Sequence, residues 1–446
     1  MKAIRWLAWV SSLCGMAWGL AAADGSPRWW RGNLHTHTLW SDGDEFPEVV
    51  ASWYRAHGYH FLALSEHNRM AMGERWIAEK DVVARGRSEP WRASVRPRDA
   101  VSEYLRSWGP HWVERRPNPS NGAPEIRLKP LSEYRARLEQ AGRFLIVDAE
   151  EITQNARNGR AIHIGAVNLD RPVPEQAGDT VPDVLRNALR AVRDASAVGG
   201  RRVLVHVNHP NYKWGVTAED LARVLDERFV EIWNGVDADN DPGDARHPST
   251  EEVWDIANTL RLEGMGAPPL LGMATDDSHD YQGNKLRAPP GRAWVMVRSR
   301  FLTPDSLVRA MEAGDFYAST GVFLDDVSFD PVRRTLSVRI RPRAGETFVT
   351  RFIGTRRGIR WEGRPRRDPD GTVVETTLDY STPGGPRIGE VLAESRGLRA
   401  TYALRGDELY VRAVVQSSSA PEVPSVEHPF KRAWTQPVGW AVPGGK

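Results

Sequence analysis

The chain has 446 residues, 40% of them hydrophobic and 26% charged, with 60 basic against 58 acidic side chains. This composition excludes an intrinsically disordered or multi-span protein. The formal balance of +2 speaks against a dedicated nucleic-acid binder, which carries a strong basic excess. At about 150 residues per domain, length alone suggests two or three domains.

Lys2 and Arg5 precede an apolar run over residues 6–20, and Ala21-Ala22-Ala23 follow. These are the three parts of a secretory signal, and the run is too short for a comfortable membrane span. Residues 1–23 are therefore predicted to be removed and the mature chain to be periplasmic or extracellular. Cleavage there takes away two basic residues, leaving 58 against 58, and also Cys14, the only cysteine. Leu13 stands where a lipoprotein signal needs a small residue. With no disulfide to draw on, metal ions are the candidate crosslinks.

Apolar runs at 61–64, 144–147, 162–167, 203–207, 229–233 and 270–273 read as buried parallel strands. Helical spacing lies between them at 47–57, 181–197, 218–225, 251–262 and 304–313. Strands alternating with helices predict an α/β fold with a parallel sheet. Residues 69–142, rich in Arg, Pro and Trp, break the rhythm and read as an insertion. From residue 322 the pattern becomes short alternating segments at 336–340, 348–353, 373–378, 399–404 and 408–415. This predicts a small all-β, sandwich-like domain over 322–416, followed by a Pro/Ser-rich tail at 417–446.

Histidine and carboxylate clusters recur along the chain. His35-Thr36-His37 is followed by Ser41-Asp42-Gly43, and Glu66-His67-Asn68 follows the 61–64 strand. Glu150-Glu151 follows 144–147, His163 lies within 162–167, His206 to His209 end 203–207, and Asp276 to Asp280 follow 270–273. Residues i and i+2 on a strand face the same way, so His35 and His37 can serve one metal. In parallel α/β folds, active sites are built at the C-terminal ends of strands. Each cluster alone could be packing or surface; the set is not. Within it, Glu150 rivals Glu151, since only one can face the site, and His206 rivals His209. Asp276 reads as a turn residue.

The segment 32–68 resembles the opening motifs of the polymerase and histidinol phosphatase (PHP) superfamily of metal-dependent phosphoesterases, and the likeness runs from about residue 29 to 321. It implies a distorted (β/α)7 barrel holding two or three divalent metals. It also implies His35, His37, Asp42, His67, Glu151, His163, His209, Asp277 and His279 as metal ligands. The first metal would take His35, His37, Glu151 and Asp277. The second would take Glu151, His163 and His209, and the third Asp42, His67 and His279. Ile152-Thr153 after Glu151 favours it over Glu150. Asp277, His279, His209 and Glu66 are the residues implied in catalysis. Glu66 replaces the family's usual Asp and is expected to hold His67 or a bound water.

Nitrogen and oxygen ligands without thiolate suit Mn²⁺, Zn²⁺ or Fe²⁺. The implied reaction is hydrolysis of a phosphate ester by a metal-bridging hydroxide. A small phosphorylated substrate is the expected partner, with no nucleic acid and no stable membrane span in the mature form. Arg69, Arg160, His206, Lys213 and Arg287 are candidate substrate contacts, and Asn68, Asn208 and Asn211 candidate orienting residues. The insertion, with Trp91, Trp108 and Trp112, leaves the strand that carries His67 and is expected to cover the site mouth; a peripheral packing element is its alternative. A hydrolase of a non-phosphate bond, or a non-catalytic exported binding protein, are the rival functions. No Walker loop, nucleophile elbow or zinc-ribbon cysteine set is present.

Overall fold

A computed structural model of the chain describes residues 25–85, 100–237, 239–281, 287–359, 362–381, 385 and 387–441. The expected signal with Cys14, and Trp91, lie outside the described residues. Among the described residues, no helix is long and apolar enough to cross a membrane.

The chain opens with β1 (Arg28–Asn33), α1 (Pro47–Ala56) and β2 (Phe61–His67). The insertion follows, with β3 (Arg75–Ala78), α2 (Glu79–Arg85), α3 (Ala100–Trp108), β4 (Arg115–Pro117), β5 (Pro124–Leu128) and α4 (Leu131–Leu138). Then come β6 (Leu145–Asn155), β7 (Ala161–Val167), α5 (Val181–Gly199), β8 (Leu204–Val207), α6 (Ala218–Arg223), β9 (Phe229–Asn234), α7 (Thr250–Thr259) and β10 (Leu271–Thr275). β11 (Trp294–Ser299), α8 (Pro304–Glu312) and β12 (Phe316–Ser319) complete the α/β part. Helix starts carry their signals: Thr180, Thr217 and Ser249 each form a reciprocal capping box with the acidic residue three positions on.

The fold is mixed α/β, built on one 13-stranded sheet whose first seven members run in the order β10-β9-β8-β7-β6-β2-β1. The parallel expectation holds for β1/β2, β2/β6, β8/β9 and β9/β10, but β7 is antiparallel to both neighbours. Only residues 156–160 separate β6 from β7. A parallel crossover needs a dozen or more residues, so this link can only be a hairpin. The two ends of the run meet where Thr36 bridges Ser278, His37 N donating to Ser278 O at 3.0 Å.

Strand alternation sorts the side chains. Phe61, Ala63, Val147, Ala149, Val167, Leu204, Phe229, Leu271 and Met273 pack together inside the run, sealed below by Leu307, Val308 and Met311 of α8. The opposite faces, with Ile152, Ile162, Ile164, Val230 and Ile232, are buried under α5, α6 and α7.

The C-terminal strands fall into two sheets that pack on each other, Leu336, Val338 and Tyr402 against Phe348, Phe352 and Val411, but one of the two is continuous with the main sheet. β13 (Leu324–Asp330), β14 (Thr335–Ile340) and β17 (Arg399–Ala403) make a small sheet, whereas β15 (Phe348–Arg356), β16 (Glu390–Arg396), β18 (Glu408–Ser417) and β19 (Arg432–Thr435) extend the main sheet beyond β12. The cause lies in the expected tail: β19 inserts between β12 and β18 and buries Trp434. Residues 373–378 form no strand and make only isolated bridges such as Arg367 with Val373. The facing stretch carries Pro365 and Pro369, which lack the N–H a ladder needs.

The described part of the insertion packs on α1. Tyr104 and Trp112 donate to Glu48 Oε1 at 2.6 and 3.0 Å, and Trp40 donates to Lys129 O at 3.1 Å. Trp108 lies beside Val49, Ser52 and Arg55 on the outer side of that helix. Trp108 and Trp112, expected at the site mouth, are thus part of a peripheral layer.

Candidate metal centre

The alternation that buries Val147 and Ala149 inside the strand run carries Glu151 to the same face, two residues further on. Glu150 points the other way, and its Oε2 accepts a hydrogen bond from Val173 N at 2.7 Å. Glu151 stands among five imidazoles. Its Oε1 lies 3.2 Å from His35 Nε2, 3.1 Å from His163 Nδ1 and 3.3 Å from His209 Nε2. Its Oε2 lies 2.7 Å from His67 Nδ1 and 3.4 Å from His37 Nε2. Asp277 Oδ1 is 3.1 Å from His35 Nε2 and 3.2 Å from His37 Nε2. Asp42 reaches His67 Nε2 at 3.4 Å and His279 Nε2 at 3.3 Å.

All nine residues named as ligands thus meet in one place. Four of the groups with ligand atoms close enough to share an ion are His35/His37/Asp277, His35/Glu151/His209, His67/Glu151/His163 and His37/Asp42/His67/His279. His163 comes from the start of its strand, not the end. Because β7 is antiparallel, its start lies beside the C-terminal part of β6, with Thr153 opposite His163.

The donor set fits divalent cations. His37 Nε2 and Asp277 Oδ1 are buried and make no hydrogen bond. Burial, with His279 and His67 nearby, drives His37 down to about 3, so it is a neutral ligand-type imidazole. Burial also opposes charge on His209 and His279, but Glu151 lifts the first to about 9 and Asp42 the second to about 9. The cluster therefore favours positive charge in its midst, the condition a divalent cation meets.

Supporting contacts orient the ligands. Asn208 donates to Glu151 Oε1 at 2.8 Å, and Asn234 to Asp277 Oδ2 at 3.2 Å. Glu231 Oε1 accepts from His35 Nδ1 at 2.9 Å and from Thr275 Oγ1 at 2.7 Å. Burial pushes Glu231 up, but His35 and its neighbours bring it down to about 2. Gly43 lets the Asp42 turn lie on the backbone of His37, where a Cβ would come within 2.7 Å of the His37 carbonyl. Among the described residues, six of the eight non-glycine positions with positive φ lie in the segments around this region: Asn68, His209, Lys213, Trp214, Asn240 and Asp277. Such strain persists only where surrounding structure enforces it.

Other expectations change. Glu66 does not hold His67; its carboxylate accepts from Thr38 N at 3.0 Å and from the Thr38 and Ser41 hydroxyls, each at 2.5 Å, bracing the turn before Asp42. The reason is its position, one residue out of phase with His67, so it faces the opposite side of β2. His206 lies below the centre, fully buried, with neither ring nitrogen hydrogen-bonded, and burial lowers it to about 4. Its ring fills the space a Cβ on Gly165 would occupy, so it is a packing residue. Arg160 pairs with Asp220 at 2.9 Å. Arg287 Nε donates to Asp237 O at 2.6 Å. Arg69 Nε donates to His67 O at 3.4 Å, and exposed Lys213 sits over the Tyr212 ring at 5.0 Å. Asn68 braces Thr153 from both its amide atoms, and Asn211 donates to Asn240 O and Pro248 O. Asp276 is buried and accepts from Tyr54, Gly291 N and Ala293 N.

Two buried carboxylates were not foreseen. Glu231 is signalled by an acid inside the apolar strand 229–233. Asp239 lies in an Asp-rich turn that resembles any surface loop.

No family model matches the chain, and no curated protein matches it. Among solved structures it is similar to a two-domain protein from Bacteroides vulgatus ATCC 8482 containing a predicted PHP-like metal-dependent phosphoesterase. That match has 13% identity and a TM-score of 0.37, over 93% of this chain and 96% of the other. It is also similar to a protein from Bifidobacterium adolescentis ATCC 15703, assigned by inference as a metal-dependent phosphoesterase. That match has 15% identity and a TM-score of 0.28, over 59% and 94% of the two chains.

Proposed function

We propose that the chain is an exported metal-dependent phosphoesterase of PHP type, acting on a small phosphorylated substrate with two or three divalent cations. The observation that carries this reading is the convergence on Glu151 of five imidazoles, with Asp277 and Asp42 completing the oxygen donors. The strand run from β1 to β10, joined at Thr36 and Ser278, is read as a distorted seven-stranded barrel.

Divalent cations held by these residues would make a water acidic near neutral pH and neutralise charge on a phosphoryl group. The chain's own residues prepare that centre. Glu231 keeps the proton of His35 on Nδ1 and leaves Nε2 as the donor atom. Asn208 and Asn234 hold the carboxylates of Glu151 and Asp277 in place. The apolar layer beneath, from Phe61 to Met273, excludes water from below. Arg69 and Lys213 are the remaining cationic side chains of the rim suited to a phosphate.

The test is a release screen with added Mn²⁺ over phosphate monoesters and small diesters, run beside amide and carboxylic ester panels. Mn²⁺-dependent phosphate release that a chelator abolishes is the expected result. Turnover confined to the other panels, or no bound metal, would overturn the reading.

A further inference from the structure

The turn after β9 carries Asp239, only 3% exposed. A carboxylate oxygen of Asp239, one of Asp277 and a ring nitrogen of His209 all lie within 4.8 Å of one another. Two carboxylates buried this close repel each other strongly in a low dielectric. Asp277 is itself nine-tenths buried or more; its Oδ2 lies 3.9 Å from His209 Nε2, while its Oδ1, turned to His35 and His37, has no hydrogen bond. Two carboxylates and one imidazole make a donor set for a divalent cation.

We propose that Asp239 is a further cation ligand of this centre, acting with His209 and Asp277 and held in place by the C-terminal segment. The proposal rests on the reading of the centre as a metal site.

The turn is clamped through its neighbours. Asp237 meets Arg287 through both backbone atoms, its N donating to Arg287 O at 3.1 Å and its O accepting from the Arg287 side-chain Nε at 2.6 Å. Asp237 Oδ2 accepts from Arg292 at 2.8 Å, and Oδ1 accepts from Ser425 Oγ at 2.8 Å. Arg292 also donates to Pro424 O at 3.0 Å. On the other flank, Asn240 and Asn211 exchange amide-to-carbonyl hydrogen bonds at 3.2 and 3.0 Å. Asn211 lies two residues beyond His209. Asp239 is therefore fixed against His209 on one side and tied to the connection between β18 and β19 on the other. Asp237 is a positioning residue and touches no ligand atom.

The full chain and its Asp239→Asn, Asp239→Ala and Asp237→Ala variants are stripped with a chelator and titrated with Mn²⁺. Free ion is followed by electron paramagnetic resonance and bound ion by metal analysis after dialysis. Asp239→Asn and Asp239→Ala should bind one ion fewer, or bind their weakest ion at least about 10-fold less tightly, with unchanged circular dichroism. Asp237→Ala should weaken the same step by less. Unaltered stoichiometry and affinity in Asp239→Asn overturn the assignment while leaving the metal centre standing. A wild-type chain that binds no Mn²⁺ overturns both this and the proposed function. Should Asp239→Ala fail to fold, the isosteric Asp239→Asn decides the matter.

Discussion

His35 donates its Nδ1 proton to Glu231 Oε1 at 2.9 Å, with both side chains fully buried. A carboxylate beneath a ligand-type imidazole fixes its tautomer and raises its basicity. Glu231→Gln should therefore lower Mn²⁺ affinity by about 10- to 100-fold while the ligand set stays complete. Calorimetric or resonance titration of the stripped protein reads this directly, and unchanged affinity would show that Glu231 serves packing alone.

Glu151 is the carboxylate common to the largest number of imidazole contacts. Glu151→Gln keeps its volume but removes the charge shared by His35, His67, His163 and His209. Bound metal should fall below that of any other single variant, and hydrolysis should drop by more than the factor of about 100 expected for a supporting residue. Glu150→Gln, one residue away on the other face, should retain both; a loss there equal to that of Glu151→Gln would reject the facing assigned to β6.

Arg412 of β18 and Asp255 of α7 form a buried bidentate pair at 2.8 and 2.6 Å, with Tyr410 also donating to Asp255 at 2.7 Å. Asp255→Ala leaves the buried guanidinium with only the longer Glu251 contact at 3.5 Å, which should cost about 3 kcal/mol by chemical denaturation. Removing residues 417–441 should act more severely, because β19 separates β12 from β18 and its loss exposes two strand edges. A truncated chain with undiminished melting temperature would contradict the shared sheet.

Glu48 is buried beneath Tyr104 and Trp112, and burial lifts its carboxyl from 4.5 to about 7. A carboxyl with a raised folded-state pKa favours the folded protein when protonated. Its contribution is present below pH 4.5 and declines as pH rises towards 7, by up to about 3 kcal/mol. Glu48→Gln imitates the protonated form and should flatten this part of the stability profile between pH 5 and 8. Parallel melting curves for wild type and variant across that range would remove Glu48 as the source.

Much of the candidate centre was legible because its signals are local. Histidines and carboxylates placed just after apolar runs mark strand ends, and a two-residue period assigns faces once a strand is placed. That is why nine ligand-type residues could be named from scattered clusters. The contacts of Glu66 were less legible: it is opposite in phase to Ala63 and His67, so its carboxylate reaches Thr38 and Ser41, which lie far from it in the chain. Asp239 was missed because an Asp-rich turn carries no periodicity, and only packing distinguishes a buried turn carboxylate from a solvated one.

Composition, the alternation of strands and helices, and the spacing of ligand-type residues were enough to establish an α/β chain with a polyvalent nitrogen and oxygen site. Three things were decided by how the strands are arranged in the fold. The direction of β7 followed from a five-residue link that admits only a hairpin. Glu151 prevails over Glu150 by the face of β6 that turns into the strand run, and His209 over His206 by height, since His206 packs against Gly165 below the centre on the same inner face. The C-terminal strands joined the main sheet because β12 offers an edge that β19, more than a hundred residues later, is able to pair. Edge pairing depends on backbone groups that every residue carries, so no side-chain pattern announces it in advance.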